Sequence, residues 1–352
     1  MRLGGEAQYV VEVETLADVR EAYEFAKSKG LPIFVLGGGA NTIGRDEGFS
    51  GVIILNRLRG IEVVEETAED VIVRGMGGEN WDGFVRFCTE RGYSGIETLA
   101  AIPGTVGAAP VQNIGAYGQE ISQTIDSVSA YDPVEDELVV FGRDEMKFGY
   151  RSSIFNTGPD AGRYFITAVT LRLDNEGTLE PPFYRSLQAY LDENEISDYS
   201  PESIRMAVTA VREAKLPDPS VEASAGSFFK NVYLDAEEAE EAQARGLRVY
   251  EKSRGRFMVN SGALIEKAGL SGKELYGFRV SEKASLILIN DSAKTYEALA
   301  KARGEIVETV YQKFGYRLEQ EPVEVVARGS QESGFSEGAD SGEGADFNGE
   351  KA

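Results

Sequence analysis

The sequence predicts an α+β protein built from more than one domain, and three observations lead there. The chain has 352 residues, more than a single hydrophobic core usually serves, so its length favours two or three domains. Short strand-like runs and amphipathic helical stretches share the chain. Beyond Leu179 the character changes, with helical stretches surrounding a strand in what reads as a compact α+β unit.

Tyr9 to Glu14, YVVEVE, reads as the first strand. Thr15 then caps a helix with Leu16, Val19, Tyr23 and Ala26 on one face, which Gly30 and Pro32 close. Strand-like runs at Ile33 to Leu36 and Val52 to Leu55 complete a small β-α-β-β unit, joined by the glycine-rich loop GGGANTIGRDEGFSG. Between Arg57 and Leu173 come short strands at Glu62 to Val64, Val71 to Val73, Ser127 to Tyr131, Leu138 to Phe141 and Phe165 to Leu173. A helix from about Asn80 to Glu90 carries Trp81, Phe84, Val85 and Cys88 on one face, which makes Cys88 a structural thiol. Ser200-Pro201-Glu202 opens a helix with the stripe Ile204, Ala207, Val208 and Val211, ended by KLPDP. Helices near Ser261 to Leu270 and Lys294 to Phe314 surround a strand at Ser285 to Ile289, and a last strand is expected at Pro322 to Val326. From Ala327 onward Gly, Ser, Glu and Asp dominate, and such a tail is expected to stay disordered. No fixed-period repeat occurs.

Composition excludes several chemistries. The sequence contains no histidine, so a Ser-His-Asp triad, a histidine-ligated metal and a histidyl-linked flavin are impossible. Cys88 is the sole cysteine, so neither an internal disulfide nor a four-cysteine cluster forms, and no loop has calcium-binding spacing. The net charge of −23 argues against nucleic acid or anionic membranes as partners. An anionic ligand therefore needs a local basic pocket. No basic n-region or apolar run signals export or membrane spanning, so the cytoplasm is the expected location.

Two segments look like sites. Residues 37 to 41, GGGAN, suit either a tight structural turn or anion binding by exposed backbone N–H groups, and the loop alone does not decide between them. Neither GxGxxG nor GxxxxGK[ST] occurs, which counts against an ordinary dinucleotide or P-loop site. Ile102 to Gly118, IPGTVGAAPVQNIGAYG, is rich in small residues and too irregular for one helix or strand. That suggests backbone wrapped against a flat or extended ligand, with a buried connection as the alternative.

With YRSSIF at Tyr150 to Phe155, GSFFKN at Gly226 to Asn231 and SGALIEKAGLSG at Ser261 to Gly272, these segments make the chain resemble the UDP-N-acetylenolpyruvoylglucosamine reductases from about Met1 to Val326. The resemblance implies a three-domain flavoprotein, with two FAD-binding domains of the vanillyl-alcohol-oxidase type and a C-terminal α+β substrate-binding domain. It places the first FAD-binding unit at residues 1–56 plus 318–326, the second at 57–215, the substrate domain at 216–317 and the tail at 327–352. FAD is expected to be non-covalent, with NADPH as hydride donor. Hydride then passes from flavin N5 to C3 of the enolpyruvyl ether and a proton reaches C2, giving UDP-N-acetylmuramate for peptidoglycan precursors. The expected partner is a UDP-sugar, and the expected state a monomer.

The resemblance also carries over residue by residue. Ser227 in GSFFKN matches the proton donor, Arg151 in the YRxS motif and Glu321 in LEQEPV match the pair acting on the substrate carboxylate and C2 region. Gly37, Gly38, Gly39, Ala40, Asn41, Pro103, Gly104, Gly107, Asn113, Gly115, Ala116 and Tyr117 fall in the segments that hold the cofactor. Lys215 and Asn231 match positions that hold substrate phosphates or carboxylate, and Tyr184 in PPFYRSL matches the mobile tyrosine of the subtype with an extra loop. Without the motifs, Ser227 reads as an ordinary strand or turn residue, Arg151 and Glu321 as surface ion-pairing groups, and Lys215 as a helix-end cation. Thr42-Ile43-Gly44 and Gln320 depart from the usual pattern, which has more apolar residues and a proline there. The family usually has an Asn-Thr-aromatic segment shortly before the position of Arg2-Leu3-Gly4-Gly5, where this chain begins; a start that is too late would cost the first domain part of an edge and lower FAD affinity. A flavin-binding paralogue without turnover, and an alcohol or sugar oxidase of the same flavin fold, are the alternative readings.

Overall fold

The structure, a computed structural model, describes residues 1–219, 221–253 and 255–327. Most of the expected acidic tail lies outside the described residues. The first lobe is a three-stranded parallel sheet with Phe49–Asn56 between Ala7–Val13 and Ile33–Leu36. Helix Leu16–Lys29 carries the chain from one outer strand, Ala7–Val13, to the other, Ile33–Leu36, and the glycine-rich loop returns it to the centre. Thr15 and Asp18 form a reciprocal capping box at the helix start, and Gly30 ends it at φ 64°. Val19, Ala22 and Ala26 of the helix pack on Val13, Val52 and Ile54, and Tyr131 and Phe165 of the second lobe join the same core.

The second lobe is a five-stranded antiparallel sheet in the order Glu137–Gly142, Ile125–Asp132, Phe165–Asp174, Asp70–Met76, Ile61–Glu66. The near-unbroken apolar run of Phe165–Asp174 suits its central place, buried on both faces. Asn80 caps helix Trp81–Thr89, whose Trp81, Phe84, Val85 and Cys88 are buried as the helical spacing predicts. Burial also pushes the Cys88 thiol far above its ordinary pKa, so it stays protonated and inert. Helices Arg185–Glu193 and Pro201–Lys215 add Leu187, Leu191, Ile204, Ala207 and Val208 to this core.

The third lobe holds a four-stranded sheet ordered Ala223–Ser227, Ile287–Asn290, Phe278–Val280, Glu274–Leu275, and a smaller sheet ordered Val232–Leu234, Arg256–Val259, Val249–Ser253. Helices Ala236–Ala244, Ser261–Lys267 and Tyr296–Phe314 enclose a core centred on Phe228, Phe229 and Phe278. Several expected bounds shift: the strand expected at Ser285 to Ile289 forms at Ile287–Asn290, and the last strand contracts to Val323–Glu324. Pro322 has no N–H to donate, which helps explain why pairing starts one residue later than expected. Val323–Glu324 lies parallel to Thr42–Ile43, so the chain's later end returns to the loop after GGGAN. Ile43, in turn, is buried in the third lobe's core. Among the described residues no helix is long and apolar enough to cross a membrane, and no cluster of carboxylates and thiols has the geometry to hold a metal ion.

Candidate active site

GGGAN leaves the end of strand Ile33–Leu36 and meets the second glycine-rich segment face to face. A methyl group on Gly37 would stand 2.6 Å from Thr105 Oγ1, and one on Gly38 would stand 3.0 Å from the Gly104 Cα. Only hydrogen at these Cα positions lets the two backbones approach so closely. Asn41 Nδ2 donates to Gln112 Oε1 at 2.5 Å, tying the far ends of the loops together. Gly107 packs on Gly77, its N–H donating to the Gly77 carbonyl at 2.9 Å. Beside Gly104 and Gly118 the space is open, with no atom within 4 Å of where a side chain would begin. The two loops thus form one edge of a backbone-lined cradle, with Pro103 exposed and Ala40, Gly115 and Ala116 half-buried along it.

Gly104 has φ 141°, a conformation that an L side chain adopts only with strain. Gly104→Ala is therefore expected to cost about 1–3 kcal/mol in stability, although the added methyl meets open space. Thermal melting checks this; an unchanged melting temperature would remove the strain argument.

Asn113 is buried and sits at φ 44°. Its Nδ2 donates to Glu120 Oε2 at 2.9 Å and the Gly149 carbonyl at 3.0 Å, while Oδ1 accepts from Ser122 N at 3.2 Å. Its side chain is committed to holding the loop's shape, so it offers a ligand its backbone rather than its amide. Tyr117, at φ 49°, places its ring 5.7 Å from that of Tyr184, edge to face. Arg212 reaches Tyr117 and donates from Nε to the Ala101 carbonyl at 3.3 Å. Burial lowers the Arg212 pKa, Tyr117 and Asp82 opposing the shift, and burial raises that of Tyr117.

A second constellation forms where all three lobes converge. Arg151 Nε donates to Glu321 Oε1 at 2.9 Å, and its Nη2 to the Gly115 carbonyl at 3.3 Å, so the guanidinium touches the glycine-rich segment. Arg151 lies at φ 52° and is centred 5.2 Å from the Tyr150 ring. The Tyr150 hydroxyl accepts from Asn231 N at 3.1 Å, and Asn231 Oδ1 accepts from Ser261 N at 3.1 Å. Ser227 ends strand Ala223–Ser227 after Gly226, pairing with Ile287 and remaining half-buried. The carbonyl of the next residue, Phe228, accepts from Glu321 N at 2.9 Å. Burial raises the Glu321 pKa above the ordinary carboxylate range even though Arg151 and Lys230 oppose the shift.

Hydrogen bonds therefore link Arg151 through Glu321 to the Ser227–Phe228 segment, and Asn231 joins them beside the cradle through Tyr150, the chain neighbour of Arg151. Tyr184 joins the cradle by its contact with Tyr117 but is 51% exposed, at the start of helix Arg185–Glu193. Lys215 stands exposed at the last turn of helix Pro201–Lys215. Tyr150, Gln112, Thr105 and Arg212 were not singled out from sequence. Tyr150 had a signal, lying in the motif that supplies Arg151, as did Thr105 and Gln112 within Ile102 to Gly118; Arg212 meets its partners only through long-range packing. A polar groove of about 460 Å³ that includes Asp70, Ser94, Arg143 and Arg172 shares no residue with this cluster.

Two glycine loops flanking open space, joined to a polar cluster under a third lobe, fit the class that the family matches assign, an FAD-binding flavoprotein with a C-terminal substrate domain. Residues 7–139 match the family described as FAD binding domain, and residues 218–325 match the UDP-N-acetylenolpyruvoylglucosamine reductase C-terminal domain. A UDP-N-acetylenolpyruvoylglucosamine reductase of Pseudomonas aeruginosa is 38% identical over 90% of this chain and 93% of its own length. One of Ralstonia nicotianae is 37% identical over 92% of this chain and 95% of its own. The chain belongs to the UDP-N-acetylenolpyruvoylglucosamine reductase family. The crystal structure of the reductase from Thermus caldophilus shares the fold, with a TM-score of 0.57 at 24% identity over 89% of this chain and 91% of that one. The family and the α+β flavoprotein fold expected from sequence are both found.

Proposed function

We propose that this protein reduces UDP-N-acetylglucosamine enolpyruvate to UDP-N-acetylmuramate, with NADPH as donor and non-covalent FAD as carrier, in peptidoglycan precursor synthesis. The observation that carries the proposal is the Arg151–Glu321 pair, 2.9 Å apart and hydrogen-bonded through Phe228 to the Ser227 segment, in a chain 38% identical to a reductase of that name. The cradle suits FAD because its glycines present backbone beside open space, and the lack of histidine agrees with non-covalent binding. Gly37, Gly38, Gly39, Ala40 and Asn41 on one loop, and Pro103, Gly104, Gly107, Asn113, Gly115, Ala116 and Tyr117 on the other, are the residues assigned to hold it. Bound FAD supplies a two-electron relay, taking hydride from NADPH and giving it to the enolpyruvyl C3.

The protein's own groups manage charge and protons. Electron density moves toward the substrate carboxylate as C3 is reduced, and Arg151 is assigned to stabilise it there more strongly than in the ground state. Ser227 is assigned to deliver the proton to C2; a hydroxyl is a weak acid, but the carbanion or enolate it meets is a strong base. Glu321, easier to protonate than an ordinary carboxyl, tolerates that neighbouring charge. Lys215 and Asn231 are assigned to the substrate's phosphates or carboxylate, and exposed Tyr184 to closing over it. Residues 1–56 with 318–326, 57–215 and 216–317 are the proposed domains. The cytoplasm and a monomeric state complete the reading, the single buried thiol suiting a reducing compartment.

An absorbance spectrum taken without oxygen tests the proposal. Flavin bands are expected to bleach on addition of NADPH and to return on addition of UDP-N-acetylglucosamine enolpyruvate. A flavin restored only by oxygen would indicate the oxidase, and a protein that binds flavin without turning over the substrate would indicate the inactive paralogue.

A further inference from the structure

Gln320 departs from the usual proline of the LEQEPV segment, and the structure gives it work. Arg303 Nη1, on helix Tyr296–Phe314, donates to Gln320 Oε1 at 2.7 Å, and Gln320 Nε2 donates to the Pro322 carbonyl at 2.7 Å. The same Arg303 nitrogen reaches Glu324 Oε1 at 3.1 Å. Glu324 also accepts from Arg45, at 2.8 Å from Nε and 2.6 Å from Nη2, and from the Tyr296 hydroxyl at 2.5 Å. The Glu324 side chain is 14% exposed and sits between two guanidinium groups from different lobes. Asp46 strengthens the joint by accepting from Tyr296 N at 2.6 Å, at the start of that helix.

These contacts act on the short segment that carries Glu321. On one side, Glu321 N donates to the Phe228 carbonyl at 2.9 Å and Lys230 N to the Glu319 carbonyl at 2.9 Å, fastening the segment to the third lobe beside Ser227. On the other, Val323 N donates to the Asn41 carbonyl and Val325 N to the Ile43 carbonyl, both at 2.9 Å, fastening it to the cofactor-side loop. Asn41 spends its side chain on Gln112 at the far loop, so one residue touches both the cradle and the strap. Without the charged clamp, two-residue pairing on each side would leave the strap able to fray, because so short a ladder has little cooperative support.

We propose that Glu324, gripped by Arg45, Tyr296 and Arg303 with Gln320 as a brace, is a positioning residue that holds Glu321 against Arg151 and ties that placement to the cofactor-side loop. The proposal rests on the functional reading above. Burial works against ionisation of Glu324, but the hydrogen bonds from Tyr296 and Arg45 outweigh it and hold its carboxyl below the ordinary range. The clamp is therefore charged wherever an ordinary glutamate is.

The test compares flavin-loaded wild type with Glu324→Gln, Arg303→Met and Arg303→Lys. Glu324→Gln is expected to leave NADPH bleaching unchanged and to slow reoxidation by the enolpyruvyl substrate about 10- to 100-fold, the scale of a displacement of about 1 Å in a catalytic group. Hydrogen exchange at the Glu321, Val323 and Val325 amides should quicken, while helix Pro201–Lys215 exchanges as before. Arg303→Lys should recover much of what Arg303→Met loses, and that pair carries the test if Glu324→Gln does not fold. Equal loss in both half-reactions, or faster exchange with wild-type reoxidation, overturns the proposal. A wild type whose bleached flavin the substrate does not restore overturns the functional reading and this assignment with it.

Discussion

Replacing Ser227 with alanine should leave NADPH bleaching of the flavin intact and slow its return on adding substrate by about 10²- to 10⁴-fold, the usual contribution of a positioned general acid. The split follows from geometry. Ser227 sits at a strand end whose backbone is paired with Ile287, so removing one oxygen leaves strand, cradle and neighbouring Phe228 as they were. In the proposed reaction only the step that consumes a proton at C2 loses a participant. Stopped-flow absorbance reads both half-reactions in one preparation. If both slow equally, Ser227 supports the architecture and the proton comes from elsewhere.

Arg151→Met should do damage of two kinds, because the charge it removes is bonded to buried Glu321 and, in the proposed reaction, stabilises the substrate carboxylate. Loss of a preorganised donor aimed at developing charge typically costs about 10²- to 10³-fold in rate. Structurally, Glu321 keeps a side chain only 9% exposed but loses its 2.9 Å partner, an unsatisfied buried group costing about 1–3 kcal/mol. The pH dependence has a definite sign. The pKa of Glu321 is already raised by burial, with Arg151 holding it down, so removing Arg151 raises it further. A carboxyl whose folded pKa exceeds its unfolded one binds its proton more tightly when folded. Stability contributed this way is present at low pH and lost as pH rises from the unfolded pKa through the folded one. In the variant that window extends upward, so its melting temperature should fall below wild type mainly toward neutral pH, and the gap should narrow in acid. A gap that stays constant with pH would mean that Glu321 does not sense Arg151.

Local chemistry made much of the fold legible. Thr15, Asn80 and Ser200 each cap the helix their positions announced, because a capping oxygen and the first-turn N–H groups are sequence neighbours. The helices Arg185–Glu193 and Ala236–Ala244 escaped notice for opposite reasons. The first follows a proline-rich stretch that reads as loop, and the second, AEEAEEAQA, hides its apolar face in two buried alanines. The short strands of the smaller sheet in the third lobe are held by neighbours distant in sequence, as Val232 is by Val259, and so leave little pattern. Ser227 showed the same limit at the site, since nothing in its own surroundings distinguishes it without the motif. Arg45, Arg303 and Glu324 were invisible for a related reason: Glu324 pairs with Arg303 across a helix end and a turn and with Arg45 from the far end of the chain, and neither pairing has a local signature.

The parallel pairing of Thr42–Ile43 with Val323–Glu324 also bears on how the protein comes to life on the ribosome. Domains fold as they emerge, the earlier ones first, so the sheet of the first lobe and its cradle can form while the rest of the chain is still being made. Glu321 joins Arg151 only after translation has passed residue 323 and the strap has closed a loop of nearly the whole chain. Nascent chains short of that point would lack the carboxylate beside Arg151. A single late closure thereby completes both the edge of the cofactor-side loop and the Arg151–Glu321 pair.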